Sequence, residues 1–418
     1  MTTMAEHTLR SPEPTLADRF VGSRYVRLVL VLGALSAIGP LTIDTYLPAL
    51  PALSAEMGAN PSQVQLTITG LLLGLGLGQL FVGPWSDAVG RRKPLLMGLA
   101  VHGLMSLLCA VAPSITLLTV TRTLQGIGGA AVAVVAMAVV RDLFSGIRAA
   151  QLLSRLILVL GVAPILAPSL GSALLTMTSW RGIFVVLALA AVGLFVLAFV
   201  ALPETLPPSR RRPGTLRGSL QGYATVLTDR LFVVMVLVAG LMFATLFAYI
   251  SGAPFILQGL FSLTAQQFGL AFAANAVGLI LMTQINPVLV KRFNPVRVLS
   301  VAVLIGLTSS LALLATASTG FGGLLGFMIP MFFIVSSAGL AFPNAPAIAL
   351  NRHGETAGTA AALLGAAQFL VGGAIAPLVG LLDNGTAVPM AAIIVGTTGL
   401  AAVLFWSARA KLNSVSYE

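Results

Sequence analysis

Two ionisable side chains stand inside long apolar stretches. Asp44 lies in Ile38-Gly39-Pro40-Leu41-Thr42-Ile43-Asp44-Thr45-Tyr46-Leu47-Pro48, and Arg122 in Thr121-Arg122-Thr123-Leu124-Gln125-Gly126. A carboxylate at membrane depth costs about 2.5–3.5 kcal/mol even on insertion-derived scales, so its presence calls for a reason. Low dielectric penalises the charged form and makes Asp44 a candidate proton carrier; the plainer alternative is an end-of-helix acid wetted by the outer interface. Asp44 follows Arg27 by about 17 residues and Arg122 precedes Arg141 by about 19, which at ~1.5 Å per residue puts both roughly 26–28 Å from one basic boundary. At matched heights the opposite charges are placed to pair, and a pair costs far less than either charge alone. A guanidinium also favours the ionised acid, so pairing would compete with protonation. A purely structural ion pair, or an Arg122 that snorkels outward, is the other reading.

Polar and aromatic residues in other apolar stretches are candidates to line a cavity: Tyr46, Gln125, Tyr249, Asn275 and Gln368, with Gln284 and Asn344 behind them. Each is equally an interhelical hydrogen-bond partner. Phe243, Phe247 and Phe255 flank Tyr249 as an aromatic wall. The loop Gly83-Pro84-Trp85-Ser86-Asp87-Ala88-Val89-Gly90-Arg91-Arg92-Lys93 sets an acid among bases, with Gly83 read as allowing close helix approach and Gly90 as supporting a tight turn. Gly161, Pro164 and Pro168 mark a kinked helix with small neighbours, with or without a role in transport.

Several chemistries are excluded. No Ser/His/Asp set and no phosphate-binding glycine loop is present, so an enzyme is not expected. Cys109 is the single cysteine, and His7, His102 and His353 are scattered, so neither a metal centre nor another cofactor is expected. The composition, 57% hydrophobic and 8% charged with a mean hydropathy of +1.00, describes a polytopic membrane protein. A formal charge of +11 would suggest nucleic acid in a water-soluble chain; here the topology rule accounts for it. No removable signal peptide is expected at the polar N-terminus.

The elements that must position these residues follow from charge and hydropathy. All of the 23 Lys and Arg except Arg122 and Arg181 fall in the tails or in alternate connections between apolar stretches. Cytoplasmic loops retain Lys and Arg, so both termini are expected in the cytoplasm and the number of crossings is even. Twelve spans are expected, at 28–50, 63–84, 94–112, 115–140, 151–176, 181–202, 231–258, 267–290, 298–318, 322–349, 356–381 and 387–408. The domains expected are a tail 1–27, a six-helix bundle 28–202, a basic linker 203–230, a second six-helix bundle 231–408 and a tail 409–418. Tyr46 and Tyr249, Pro51 and Pro254, and Pro84 and Pro287 recur at one constant spacing, as parallel repeats would; compositional similarity between any two sets of membrane helices is the alternative.

The loop 83–93 resembles the Gly-x-x-x-Asp-x-x-Gly-Arg-Arg-Lys signature of the major facilitator superfamily. The resemblance implies an all-α fold of two pseudo-symmetric six-helix bundles. It also implies a cytoplasmic gate in which Asp87 faces the start of the eleventh span near Thr356 and the Arg141 end of the fourth, with Arg91 placed to pair with Asp142. The run 161–171 is similar to the Gly/Pro motif of the superfamily's antiporters, although the expected Gly-Pro pair is Ala163-Pro164 or Ala167-Pro168 here. Ile43-Asp44-Thr45-Tyr46-Leu47-Pro48-Ala49-Leu50-Pro51, Arg122 with Gln125-Gly126, Arg141-Asp142 and Pro203-Glu204-Thr205 look most like the Bcr/CflA group of drug:proton antiporters. That likeness implies a monomer in the bacterial inner membrane that exports small lipophilic compounds in exchange for protons, with Asp44 and Arg122 at the centre of coupling. A dedicated carrier of one metabolite or nutrient is the alternative within transport; a receptor or intramembrane enzyme is the alternative outside it.

Overall fold

A computed structural model describes residues 22–211, 216–354 and 356–413. Residues 1–21 and 414–418 of the expected tails, with Arg10 and Arg19, and residues 212–215 of the linker lie outside the described residues.

Helices account for nearly all of it, and among the described residues there is no strand. In chain order they are α1 (Ser23–Asp44), α2 (Leu50–Met57), α3 (Pro61–Val89), α4 (Arg92–Ala110), α5 (Ile115–Leu143), α6 (Gly146–Leu174) and α7 (Trp180–Ala201). After the linker helix α8 (Leu216–Leu227) come α9 (Arg230–Phe255), α10 (Ala265–Phe293), α11 (Pro295–Thr319), α12 (Gly323–Leu350), α13 (Ala357–Leu381) and α14 (Val388–Asn413). Among the described residues, eleven segments are long and apolar enough to cross a bilayer, α1 and α2 together counting as one. The 29-residue α6, whose apolar part is Val159–Leu174, makes the twelfth of the expected crossings.

Three features differ from the sequence reading. The first span is broken: α1 ends at Asp44, a 3-10 turn covers Leu47–Ala49, and α2 starts afresh. Pro48 and Pro51 explain this, because proline lacks the N–H a continuing helix needs but suits a first turn. Several helices also run past the apolar limits, as α3 does to Val89, because Ser, Asp and Lys continue a helix that hydropathy no longer sees. Finally, the linker carries α8, whose Leu216, Leu220, Tyr223 and Leu227 follow helical spacing.

Small residues set the closest packing. Gly70, Gly74 and Gly78 line the α3 face against α5, where a Cβ on Gly74 would run into the Thr123 carbonyl. The first six crossings meet the second six chiefly where α3 packs on α13 and α6 on α10. α3 and α10 open alike, with reciprocal caps between Asn60 and Gln63 and between Thr264 and Gln267. Prolines inside helices free the carbonyl four residues earlier, and hydroxyls from other elements take it up. Thr283 donates to Gly339 O (3.2 Å, before Pro343), Thr316 to Gly326 O (2.7 Å, before Pro330) and Tyr223 of α8 to Leu80 O (2.7 Å, before Pro84). Arg181, the exception among the loop bases, pairs with Glu56 at 3.2 Å and lies 4.1 Å over the Trp180 ring.

Candidate functional site

The end of α1 builds the centre of the first half. A terminating helix leaves its last carbonyls without intrahelical partners and its dipole negative, a setting that favours a cation. Arg122 supplies one: Nη1 donates to Thr42 O at 3.1 Å and to Gln125 Oε1 at 2.9 Å. The guanidinium also lies over the Tyr46 ring at 4.7 Å and the Phe184 ring at 5.5 Å, a cation–π arrangement in a fully buried setting. Tyr46 is held by a hydrogen bond to Thr67, and Gln125 by one to Ser106 at 2.7 Å. Both were expected to line a cavity; instead they are fully buried and hold Arg122.

Asp44 is 4% exposed and forms no ion pair with Arg122, so the pairing that matched heights left open is absent in this state. The guanidinium instead meets the Thr42 carbonyl and Gln125 through Nη1 and lies over two aromatic faces. Asp44 Oδ1, Thr45 Oγ1, Arg122 Nε and Arg122 Nη2 are buried without hydrogen-bond partners. Buried unpartnered polar atoms are rare, and these leave both the acid and the guanidinium with unspent binding capacity.

Sequence reasoning passed over Thr42 and His102. The Thr42 hydroxyl lies 2.6 Å from Ile38 O, which only accepts, so it donates there and receives its 2.9 Å bond from His102 Nε2. That arrangement leaves His102 Nδ1 bare and buried. A lone histidine in an apolar span was the available sign.

The second half contributes Tyr249 and Asn275. Asn275 Nδ2 donates to the Tyr249 hydroxyl at 2.9 Å, while its Oδ1 is buried and open. Tyr249 stacks on Phe272 with centroids 5.3 Å apart and lies within electrostatic range of Asp44. Phe243 and Phe247 form an aromatic group 4.9 Å apart that Phe369 joins, and Phe255 is half-buried. Gln368 is half-buried on α13, outside this hydrogen-bonded set, and Gln284 is exposed. Asn344 bonds Asn286 at 2.5 Å between helices. The Gly/Pro run keeps α6 one unbroken helix with Pro164 and Pro168 inside it. Gly161 sits 3.5 Å (from its would-be Cβ) from Ile280 of α10, and Gly171 lies against the Thr45 carbonyl beside Asp44.

At the basic end, Arg91 binds Asp142 at 2.8 Å and Asp87 at 2.5 Å, and Nη1 also reaches Ser86 Oγ at 2.7 Å. Burial opposes the Arg91 charge, but the bonds and charges of Asp142 and Asp87 outweigh it and push its pKa above the ordinary arginine value. Glu204, unassigned at the sequence level, accepts from Arg91 N at 2.8 Å and Arg92 N at 3.2 Å, and Thr205 donates to Asp142 at 3.1 Å. Burial would raise the Glu204 carboxyl, yet the backbone N–H groups of Leu206, Arg91 and Arg92 and the Arg211 charge hold it below the ordinary glutamate range. Gly90 turns at φ +102°. A cavity of about 530 Å³ opens here, with Asp87 and Arg141 on one wall and Thr356 and Thr359 on the other. Gly83 faces that space with nothing within 4 Å of its would-be Cβ, which corrects the expected close approach. Asp87 and Thr356 stand on opposite sides of it, not in contact.

The sequence model of the Major Facilitator Superfamily matches residues 29–377. A Bacillus subtilis (strain 168) protein described as "Uncharacterized MFS-type transporter YdgK" is 36% identical, covering 92% of this chain and 96% of its own. The "Bicyclomycin resistance protein homolog" of Haemophilus influenzae is 32% identical over 87% of this chain and 91% of its own. "Multidrug resistance protein D" of Escherichia coli (strain K12) is 30% identical over 92% and 95%. Among solved structures, a D-xylose-proton symporter superposes with a TM-score of 0.75 at 16% identity, over 92% of this chain and 98% of that one. At that identity the likeness speaks for the fold.

Proposed function

Since the chain belongs to the major facilitator superfamily and is a multi-pass membrane transporter of small molecules, we propose that it is a proton-coupled antiporter that exports small lipophilic drugs or toxic compounds by alternating access. The observation that carries this reading is Asp44, a buried acid with an unpartnered oxygen at the end of α1, within electrostatic range of Tyr249 of the second half. The printed names of the relatives, bicyclomycin resistance and multidrug resistance, point the same way.

In this scheme the bundles 28–202 and 231–408 rock about Asp44 in a bacterial inner membrane, with both termini cytoplasmic and the protein acting as a monomer. Substrate enters through the cavity at the basic end. Its apolar part meets Tyr249, Phe272 and the Phe243 group, while Gln368 remains a candidate contact on α13. Asp44 exchanges substrate for a proton when the opposite end opens. Arg122 keeps its cage throughout and supplies a fixed positive field at the α1 terminus. Asp87, Arg91, Arg141 and Asp142, with Gly83 and Gly90 at the turn, form the cytoplasmic gate that closes on Thr356 once the cavity collapses. Gly161, Pro164 and Pro168 shape α6 for the movement. A ligand can shift such an equilibrium only by its differential affinity for the two states, and an acid that changes charge supplies that difference.

Everted membrane vesicles energised to an inside-acid gradient test the scheme. Uptake of a fluorescent lipophilic cation that collapses with a protonophore is expected. Uptake of no lipophilic compound, or uptake indifferent to the proton gradient, would refute it.

A further inference from the structure

The two ends of the molecule are held by different means. Among the described residues, every hydrogen bond that crosses from the first six membrane-crossing helices to the second six lies at the end opposite the basic loops. α3 contributes most of them. Ser62 Oγ donates to Pro377 O at 3.2 Å, Gln65 Nε2 to Ser251 O at 3.1 Å and Thr69 Oγ1 to Gly373 O at 2.8 Å, while Gly380 N donates to Gln65 Oε1 at 2.7 Å. Ser62, Gln65 and Thr69 stand at i, i+3 and i+7 and so share one face of α3. Gln65 is 1% exposed and uses both ends of its amide on two different helices, α9 and α13.

Two details distinguish this stripe from ordinary helix packing. Its partners are all backbone atoms, and the one taken by Thr69 is free for a reason. Pro377 lies four residues after Gly373 and has no N–H, so the Gly373 carbonyl has no partner within α13. Thr69 satisfies it without breaking a helical bond, and parting the helices leaves that carbonyl to water. The approach is also close: a Cβ on Gly380 would collide with the Ser62 backbone and Gln65, and one on Gly373 would press on Leu72.

We propose that Ser62, Gln65 and Thr69 are positioning residues of the transport cycle, a polar seam on α3 that seals the end opposite the basic loops by gripping the α13 and α9 backbone and must part for that end to open. The proposal rests on the alternating-access reading above, but not on the identity of the cargo or of the coupling ion. The Gly373 carbonyl freed by Pro377 is the switchable element, because it is bonded across the seam when sealed and hydrated when open.

The test uses the full chain in lipid nanodiscs with Cys109→Ala as background and no substrate. Leu72→Cys reports from behind the seam, where Leu72 is fully buried, and Ala138→Cys reports from the wall of the basic-end cavity. Rates of reaction with a water-soluble maleimide are measured for each. Thr69→Val keeps the shape and removes the donor; it should raise labelling at Leu72→Cys about fivefold and lower it at Ala138→Cys, the effect of one lost hydrogen bond. Gln65→Leu, which loses two bonds, should exceed that, and Thr69→Ser should restore the parent rates. Pro377→Ala provides an N–H that competes for Gly373 O, so it should shift labelling as Thr69→Val does and add nothing to it in the double variant. Gly380→Ala should act in the same direction by collision alone. Unchanged rates in Thr69→Val and Gln65→Leu would overturn the proposal. So would increases at both reporters, which would mean general loosening and no shift between two states. Because no cargo is present, failure here leaves the export reading standing, and failure of drug export leaves this labelling pattern interpretable.

Discussion

Replacing Asp44 by asparagine removes a charge, keeps the shape and isolates the ionisation step. The side chain is 4% exposed and its Oδ1 has no partner, while Arg122 is occupied by Thr42 O and Gln125. With no direct ion pair to offset it, an ionised Asp44 carries the cost of a charge at membrane depth, about 2.5–3.5 kcal/mol. At 1.36 kcal/mol per tenfold, that is roughly 70- to 400-fold in any equilibrium that sets the charged form against a neutral one. A lipophilic cation that binds the ionised acid recovers this cost, and a proton competes with it for the same oxygen. Binding of tetraphenylphosphonium to the purified protein should therefore tighten as pH rises and release protons into a weakly buffered solution. In Asp44→Asn the pH dependence and the proton release should both vanish, and affinity at high pH should fall by about two orders of magnitude. Melting temperature should hold or rise, since no buried charge remains. Retention of wild-type proton release by Asp44→Asn would refute the assignment.

Arg122→Lys keeps the charge but loses the planar group that lies over Tyr46 and Phe184 and whose Nη1 reaches Thr42 O and Gln125. A loss of about 1–2 kcal/mol in stability is expected, read by thermal denaturation with reduced efflux; full activity would show that the cage is dispensable. Gly171→Ala drives a methyl into the Thr45 carbonyl and should cost about 1–3 kcal/mol and impair transport, whereas Gly161→Ala, with Ile280 3.5 Å from the new atom, should be tolerated. Equal behaviour of the two would contradict the close approach at Asp44. Glu204→Gln weakens the anionic cap on α4 and should cost about 1 kcal/mol at pH 7, modest because the carboxylate is only half-buried. Since the folded Glu204 carboxyl lies below its unfolded value of 4.5, its contribution is present above that value and fades as pH falls through the folded one. The stability gap between variant and parent should narrow only in acid; a gap that widens there would have the wrong sign.

The outline of the fold was legible because its causes are local. Length and apolarity mark each crossing, and the basic connections mark which loops share an end. The Arg91–Asp142 pair was legible only through the motif's resemblance, and the Asp87–Arg91 contact beside it was not legible, because the motif places Asp87 toward Thr356 and the Arg141 end of α5. What escaped is what depends on three-dimensional approach. Asp44 and Arg122 share a depth, yet depth says nothing about azimuth, and the α1 terminus draws the guanidinium to Thr42 O. Gly83 carries a small residue's promise of close packing but faces a cavity, because α3 and α13 diverge at that end. Ser62, Gln65 and Thr69 look like unremarkable helix polars until the α13 backbone is brought against them. The linker helix α8 was hidden by its Pro- and Arg-rich approach, although its apolar residues kept helical spacing.

The acid and the sealed end are mechanically one turn of α6 apart. Gly171 bears on the Thr45 carbonyl, the residue after Asp44, and the next residue, Ser172, donates to Ala265 O at the start of α10 at 2.7 Å. α6 is therefore fixed on one side to the broken end of α1 and on the other to the second six helices. Parting the opposite end requires the Ser172 bond to break, together with the packing of Gly269 of α10 against Pro168 and Ser169. The Gly171 contact allows no added atom, so any tilt of α6 relative to α1 is felt as a shift of the Thr45 peptide and hence of the Asp44 backbone. A carboxylate whose access to water is set by such a contact responds to the seal without any chain of ion pairs. In the proposed scheme a direct Asp44–Arg122 bridge would hold the acid ionised regardless of which end is open, whereas coupling needs its charge to depend on that difference in access.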